Sequence, residues 1–342
     1  MPDLVLVTGG TGYIGSHTCV ELIESGFQVV IADNLSNSDL SALSGIEKIT
    51  GKKPFFEKVD LSDASETNEF FDKYPQISSI IHFAASKAVG ESVQIPLTYY
   101  HNNLNSLINL LNNMIRREIP NIVFSSSCTV YGEPDSLPVN EEAPIKPATS
   151  PYGNTKQICE EILRDAIAVN KSLKGISLRY FNPIGAHPSA LIGELPLGVP
   201  ANLVPFITQT AIGLRDELKV FGDDYNTTDG SAIRDYINVV DLSKAHVVSI
   251  KRLLEKKNKK NYEVFNLGTG RGVTVFEVIK AFEKATGEKL KYKVVGRRPG
   301  DIEKVFADTH FANIELGWKA EKGLEETLLS AWKWEKIIRQ KK

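Results

Sequence analysis

Four consecutive apolar residues near the start, Leu4-Val5-Leu6-Val7, run straight into Thr8-Gly9-Gly10-Thr11-Gly12-Tyr13-Ile14-Gly15. A short apolar run closed by turn residues predicts a strand buried on both faces. A helical pattern then runs from Tyr13 to Gly26, and a second apolar strand over 27–32 ends in Asp33-Asn34. Strand, glycine loop, helix and strand make a βαβ unit. Glycines 9, 12 and 15 let the backbone turn tightly and approach a pyrophosphate, which the helix N-terminus attracts. The spacing is G-x-x-G-x-x-G rather than G-x-G-x-x-G, but it sits between strand and helix, the setting that gives such a loop its meaning. Asp33 lies 18 residues after Gly15. A carboxylate there would bond a ribose diol and repel a 2′-phosphate, which favours NAD over NADP.

The alternation continues. Residues 55–59, 80–83, 122–124 and 176–179 read as strands, and helical patterns near 63–74, 97–117 and 151–169 separate them. These strands end in small or polar residues such as Asp60, Ala84-Ala85-Ser86-Lys87 and Ser125-Ser126-Ser127. The pattern predicts an α/β fold with a doubly wound parallel sheet and ligands at the carboxyl ends of its strands. After Tyr180 the alternation breaks. Residues 181–236 are rich in Pro and Gly, with one helix expected at 201–214. A strand is expected at 234–239, a helix from there through Lys256, a strand at 265–268 and a helix at 275–286 closed by Gly287. The expected division is an NAD-binding domain from 1–180 and 237–268, and a smaller, discontinuous α/β substrate-binding region from 181–236 and 269–342.

The chain has 342 residues, 42% of them hydrophobic, enough for one large or two modest domains. Its net charge of −2 argues against a nucleic-acid or anionic-membrane partner, which would favour a basic surface. No apolar run approaches the roughly 20 residues of a membrane span. The first residues form a strand rather than a charged leader, so no signal peptide is expected. Cys19, Cys128 and Cys159 have neither metal-ligand spacing nor an even count, so no metal site is expected. The expected compartment is the reducing cytoplasm. The lysine-rich run at 256–260 reads as a solvated helix end.

The chemistry concentrates in Ser150-Pro151-Tyr152-Gly153-Asn154-Thr155-Lys156. Ser150 is a favoured N-cap and Pro151 suits the first helical position. A helix starting here puts Tyr152 and Lys156 one turn apart on one face, with Cys159, Leu163, Ala166 and Ile167 continuing inward. Such pairs also arise by chance on amphipathic helices, so the setting decides. An ammonium beside a phenol favours phenolate, turning a group with a reference pKa of about 10 into a base nearer neutrality.

With Ser127 at a strand end, 25 residues before Tyr152, the chain resembles the extended short-chain dehydrogenase/reductase family. There Ser (or Thr), Tyr and Lys form the catalytic set. Residues 7–17, 33–38, 82–92, 124–132, 179–183, 230–241 and 297–301 carry the resemblance across most of the chain. They are most similar to the branch that epimerises UDP-hexoses at C4. The resemblance implies a Rossmann-like domain and a retained NAD. It also implies interconversion of UDP-galactose and UDP-glucose by C4 oxidation, turning of a 4-keto sugar and reduction on its other face.

The same resemblance assigns the site. Gly9, Gly12, Tyr13, Ile14 and Gly15 would meet the pyrophosphate. Asp33, Asn34, Leu35, Ser36, Asn37 and Ser38 would hold the adenosine ribose side, and Asp60 with Leu61 the adenine. Phe83, Ala84, Ala85, Lys87 and Asn102 would line the ribose and pyrophosphate channel. Lys156 would grip the nicotinamide ribose, with Ser127, Tyr152 and Phe181 beside the cofactor. Lys87, Ser127, Tyr152, Asn182, Asn202, Leu203, Lys219, Val220, Phe221, Arg234, Arg298 and Asp301 would receive the sugar nucleotide. Two arginines suit a diphosphate because guanidinium is planar, permanently charged and bidentate toward phosphate oxygens. Taken alone, Arg234-Asp235 would pass for a surface ion pair. A homodimer through the helices near 97–117 and 151–169 is also implied.

Two departures stand out. Ser86 replaces a bulkier apolar residue. Val305 stands where some members carry a large Tyr and others a small residue, and a small side chain there admits N-acetylated sugars; some activity on UDP-GalNAc and UDP-GlcNAc is expected. Three rivals remain. A 4,6-dehydratase of the same family needs an Asp-Glu where this chain has Cys128-Thr129. A net oxidoreductase would release reduced cofactor, and a non-catalytic NAD sensor would typically lack the Tyr or Lys. His17, His101 and His246 have no metal spacing and read as core or surface residues, and Cys128 as a small buried hydrophobe.

Overall fold

The first 180 residues lay down six strands, with helices between them. In the computed structural model, which describes residues 2–298 and 302–340, the strands are β1 (Leu4–Thr8), β2 (Gln28–Asp33), β3 (Phe55–Lys58), β4 (Ile77–His82), β5 (Asn121–Ser125) and β6 (Lys174–Tyr180). Between them come α1 (Tyr13–Glu24), α2 (Ser41–Thr50), α3 (Ala64–Lys73), α4 (Val89–Gln94), α5 (Pro96–Arg116) and α6 (Pro151–Val169). The chain continues with β7 (Asn182–Ile184), α7 (Leu203–Ala211), β8 (Leu218–Phe221), β9 (Ile233–Arg234), β10 (Tyr236–Asn238) and α8 (Val239–Leu254). It closes with β11 (Tyr262–Leu267), β12 (Val273–Thr274), α9 (Val275–Thr286), β13 (Tyr292–Val295), β14 (Lys304–Val305) and α10 (Leu324–Gln340).

Seven strands form one parallel sheet in the order β11-β6-β5-β4-β1-β2-β3. Both faces are covered, because side chains alternate along a strand. Val5, Val7 and Ile31 enter one core with Cys19, Leu22, Leu242 and Ile250 of α1 and α8. Leu4, Leu6 and Val30 enter the opposite core with Phe71, Leu107, Leu111 and Leu163. The strand order turns between β1 and β4, with β2 on one side and β5 on the other. Open α/β sheets leave a crevice at such a point, beyond the strands' carboxyl ends. The glycine loop follows β1 and the 83–87 segment follows β4, so both meet there. A third core joins Val204, Ile207, Val220, Tyr236, Phe282, Leu328 and Trp332 beside the sheet's carboxyl edge. Ala312, Leu316 and Trp318, although late in the chain, return to the first core.

Several expected elements move. The strand read at 234–239 is cut in two: β9 pairs with β12 and β14, whereas β10 pairs with β7. Asp235 at the cut is fully buried rather than on the surface. Its carboxylate accepts from the backbones of Thr269 (2.8 Å), Gly270 (3.1 Å) and Ala307 (3.2 Å) and from the Thr269 hydroxyl (2.7 Å). The helix begins at Val239 because Asn238 caps it, accepting from the Val240 amide at 2.8 Å. The helix expected at 201–214 is the shorter α7, followed by Gly213 at φ +83°. Helices α2, α4 and α10 were not anticipated. The 256–260 run follows α8, with Lys257 on Glu255 and Lys259 on Glu315.

Candidate active site

Helix α6 starts as its sequence dictates. Ser150 accepts the Gly153 amide at 3.1 Å and Pro151 occupies the first turn. Tyr152 and Lys156 stand one turn apart and are 7% and 4% exposed. Cys159, Leu163 and Ile167 continue the buried face, and Ala166 is half-buried. The opposite wall is the end of β5. Lys156 Nζ donates to the Ser125 carbonyl at 2.7 Å and lies 4.8 Å from the Phe124 ring centroid. Ser127 caps the short helical turn Cys128–Tyr131, accepting from the Thr129 amide at 3.3 Å. Strand end and helix start thus bring Ser127, Tyr152 and Lys156 together.

Burial works against the phenolate. Burial pushes the Tyr152 phenol well above its ordinary value, with Tyr180, Cys128 and Tyr99 adding to the rise and Ser127 opposing it by hydrogen bonding. The Lys156 ammonium favours the ionised form, but burial is the larger effect. That ammonium is 5.9 Å from the Tyr152 ring centroid, and burial brings its own pKa down to about 8. Desolvation outweighs an ammonium at that distance.

The crevice fits a dinucleotide. Gly9 has φ +67°, and a Cβ there would lie 2.8 Å from the Ala84 nitrogen; one at Gly15 would lie 2.2 Å from the Gly9 carbonyl oxygen. Gly12 occupies the N-cap position of α1 with extended backbone and no side chain to cover the first turn. Ile14 packs on the first core, and the Tyr13 hydroxyl donates across the crevice to the Gly185 carbonyl at 2.6 Å. Asp33 ends β2 and accepts from the amides of Thr11 (3.1 Å) and Leu35 (2.9 Å) and from the Ser38 hydroxyl (3.1 Å). Leu35 has φ +60°, Asn34 accepts the Ser36 amide at 3.0 Å, and Ser36 and Asn37 are exposed. Asn34, Ser36, Lys58, Asp60 and Glu66 line a cleft of about 390 Å³ at this end. Leu61 beside it is core. Beyond β4, Phe83, Ala84 and Ala85 are half-buried and Lys87 is exposed. Asn102 donates to Ser86 Oγ at 3.3 Å, giving the unusual serine a polar partner.

On the sugar side the expected residues separate. Asn182 begins β7 and Asn202 occupies the N-cap position of α7 without a side-chain cap bond, with Leu203 next in the helix. In β8, Lys219 and Phe221 face out, Phe221 being 43% exposed, while Val220 is buried in the third core. Val220, expected at the sugar nucleotide, thus turns its side chain into that core and its backbone to the strand edges. Arg234 lies beside Val305 in the β9–β14 pairing, and its Nη1 donates to the Ile233 carbonyl at 2.7 Å. Arg298 is exposed, with Nη2 on the Gly90 side of the crevice. Asp301 lies outside the described residues. Phe181 and Val305 are buried together with Val130, Tyr131, Val139 and Ala307, and Cys128 packs half-buried against them. Burial pushes that thiol up to about 12.

Four groups escaped the sequence. Glu160, one turn beyond Lys156, holds Arg179 through both carboxylate oxygens (2.6 and 3.0 Å) and accepts from Ser126 at 2.5 Å. Its spacing of four from Lys156 was a readable signal. Tyr131 links the same network, accepting from Arg179 at 3.0 Å and donating to Asn266 at 2.6 Å. Asn103 ties the Ser86 backbone (2.8 and 3.0 Å) to Thr155 of α6 (3.0 Å). Thr11 bonds Asp33 and Ser38. Thr11 and Tyr131 lie in the runs at 7–17 and 124–132, but no local pattern assigns them, or Asn103, these partners.

A doubly wound sheet with a glycine cradle at its turning point and a buried Ser, Tyr and Lys beside it defines the extended short-chain dehydrogenase/reductase class. Residues 6–330 match the family profile described as GDP-mannose 4,6 dehydratase. The UDP-glucose 4-epimerase of Bacillus subtilis (strain 168) is 50% identical over 331 residues, covering 97% of this chain and 96% of that protein. The UDP-glucose 4-epimerase of Stenotrophomonas maltophila, solved with bound NAD and formylated UDP-arabinopyranose, is 46% identical with a TM-score of 0.95, covering 99% and 100% of the two chains. That of Bifidobacterium longum, solved with NAD⁺ and UDP, is also 46% identical, with a TM-score of 0.93 and 98% of each chain covered. The chain belongs to the UDP-glucose 4-epimerase family of NAD-dependent isomerases.

Proposed function

We propose that the protein interconverts UDP-galactose and UDP-glucose with a retained NAD. The observation that carries this reading is the buried set of Ser127, Tyr152 and Lys156 beside the glycine cradle, in a chain half identical to a UDP-glucose 4-epimerase over its length. Residues 1–180 and 237–268 form the cofactor domain, and 181–236 with 269–342 the sugar-nucleotide domain. Gly9, Gly12 and Gly15 receive the pyrophosphate, Asp33 the adenosine ribose, and Lys156 the nicotinamide ribose. When bound, NAD⁺ supplies the hydride acceptor and donor for hexose C4 and a fixed positive charge beside Tyr152.

Tyr152 then takes the 4-hydroxyl proton and returns it, as a general base and acid. Ser127 hydrogen-bonds the 4-oxygen and relays the proton. Lys156, anchored on the Ser125 carbonyl, fixes the geometry of the face from which Tyr152 acts. Arg234 and Arg298 hold the diphosphate while the sugar stays weakly held, so that the 4-keto hexose turns over without leaving. The test is to mix purified protein with UDP-galactose, adding no nucleotide, and follow the anomeric protons by NMR. Growth of UDP-glucose to a fixed ratio is expected; no conversion with or without added NAD⁺ would overturn the reading.

A wider substrate range is favoured by Val305, whose small side chain shares a wall with Phe181. UDP-N-acetylgalactosamine should turn over, and Val305→Tyr should remove that activity while sparing UDP-galactose. The functional unit is a homodimer. Leu97 (81% exposed), Ile108 (39%) and Ile115 (42%) form an outward apolar stripe on α5, next to α6. Among the described residues no helix is long and apolar enough to cross a membrane. With its three cysteines unpaired, the cytoplasm is the proposed compartment.

A further inference from the structure

Behind Ser127 lies a buried ion pair with no part in the proton transfers of Tyr152 and Ser127. Glu160 of α6 and Arg179 of β6 are 3% and 4% exposed. Arg179 grips both carboxylate oxygens, Nη2 on Oε2 at 2.6 Å and Nε on Oε1 at 3.0 Å. Stability alone does not account for the pair, because buried ions are often no better than well-packed apolar residues of similar volume. Cys159 and Leu163, beside Glu160 on the helix, are apolar core. The pair has two further partners, and both belong to the loop that carries Ser127. Ser126, just before it, donates from Oγ to Glu160 Oε1 at 2.5 Å. Tyr131, one helical turn after it, accepts from Arg179 Nη1 at 3.0 Å, and the guanidinium lies 4.8 Å from the centroid of its ring.

The directions of these bonds are forced. A guanidinium only donates and a carboxylate only accepts. Ser126 must therefore give its proton to Glu160, and Tyr131 must direct its own to Asn266 Oδ1, at 2.6 Å. Asn266 is oriented in turn by its Nδ2, which donates to the Val139 carbonyl at 2.9 Å. Neither hydroxyl can rotate without leaving a buried polar group unpaired. On the near side Lys156, one turn before Glu160, holds the Ser125 carbonyl at 2.7 Å. The strand end is thus fastened at residues 125, 126 and 131, with Ser127 between the fastenings. We propose that the Glu160–Arg179 pair is a positioning device for the reaction, holding the 126–131 loop at both ends so that the Ser127 hydroxyl keeps its place against Tyr152. The inference rests on the reading that Ser127 and Tyr152 share the proton of the sugar 4-hydroxyl, which both must reach by hydrogen bonds. The arrangement needs a fork: a planar guanidinium can bond a carboxylate and a phenol at once, whereas an ammonium is a point charge on a flexible stem.

The test compares the NAD-loaded wild type with Ser126→Ala, Tyr131→Phe, Arg179→Lys and the Tyr131→Phe/Arg179→Lys double variant. Steady-state kinetics with UDP-galactose gives kcat and KM. Amide hydrogen exchange followed by mass spectrometry reads residues 125–131, and the thermal midpoint reads folding. The two hydroxyl deletions leave the ion pair itself in place, so the core should stay folded. In each single variant kcat should fall about tenfold, within the roughly hundredfold that a misplacement of about 1 Å can cost. KM should stay within about twofold. Exchange should quicken over 125–131 and keep its wild-type rate in β1 and β2. The thermal midpoint should fall by no more than about 4 °C, the scale of one lost hydrogen bond. The double variant should lose little beyond Arg179→Lys, because both changes break the same bond. An unchanged kcat, a KM that rises as kcat falls, or unaltered exchange over 125–131 would each overturn the inference. So would faster exchange across the whole sheet, the sign of a merely structural pair. A wild type that turns over no UDP-galactose would instead sink the functional reading, and it is told apart from failure of the brace because exchange is read without turnover.

Discussion

Tyr152 shows how much a single side chain owes to its surroundings. Its place one turn before Lys156 is readable from spacing, but its acidity is not. Burial raises the phenol, while the Lys156 ammonium that favours its ionised form also donates to the Ser125 carbonyl. A cationic nicotinamide beside it would add to the charge that makes Tyr152 a usable base. Removing the hydroxyl by Tyr152→Phe should lower kcat by about a hundredfold or more, the scale of general acid–base catalysis, while leaving KM for UDP-galactose within a few-fold. Comparable losses in both constants would assign Tyr152 to binding instead.

Elements carry the next level of specification. The turn from β1 into the first turn of α1 leaves no room for a Cβ at Gly9 or Gly15. Gly15→Ala would press a methyl against the Gly9 carbonyl, at a cost of about 1–3 kcal/mol for such overpacking. It should lower the thermal midpoint and the NAD content of the purified protein; full NAD content would show that the cradle is not the pyrophosphate site. The exposed stripe on α5 poses a different question. Leu97→Asp with Ile108→Asp should leave the fold intact by circular dichroism and convert a dimer to a monomer in sedimentation. A dimer that persists would place the interface elsewhere. Periodicity could reveal α5 and α6 because each has one strongly apolar face. It could not reveal α10, whose buried Trp332 and Trp334 are scattered among charges, or the division of 233–238 between two sheets. That division depends on Asp235 finding three amides distant in sequence.

At the scale of the whole molecule, three histidines sit where water does not reach. Burial holds His17 and His82 at about 3 and His246 at about 4, against an ordinary 6.5. Between those values the unfolded chain binds more protons than the folded one, so stability rises with pH across the window. It is fully present above about pH 6.5 and is lost as the pH falls toward 4. The urea midpoint should drop steadily from pH 7 to pH 5, before most carboxylates titrate; a flat profile would refute it. What the sequence by itself determined is what local chemistry can enforce: the βαβ opening, strand and helix alternation, the N-cap of α6, and the one-turn spacing of Tyr152 and Lys156. These depend on neighbours within a few residues, and period, capping and glycine conformation are local quantities. Tertiary structure alone decided which carboxylates are buried, where Val220 and Asp235 point, how Glu160 and Arg179 brace Ser126, and how the Trp334 indole reaches the Glu194 carbonyl. Those outcomes turn on desolvation and on contacts between residues up to 140 positions apart, and no local pattern encodes either.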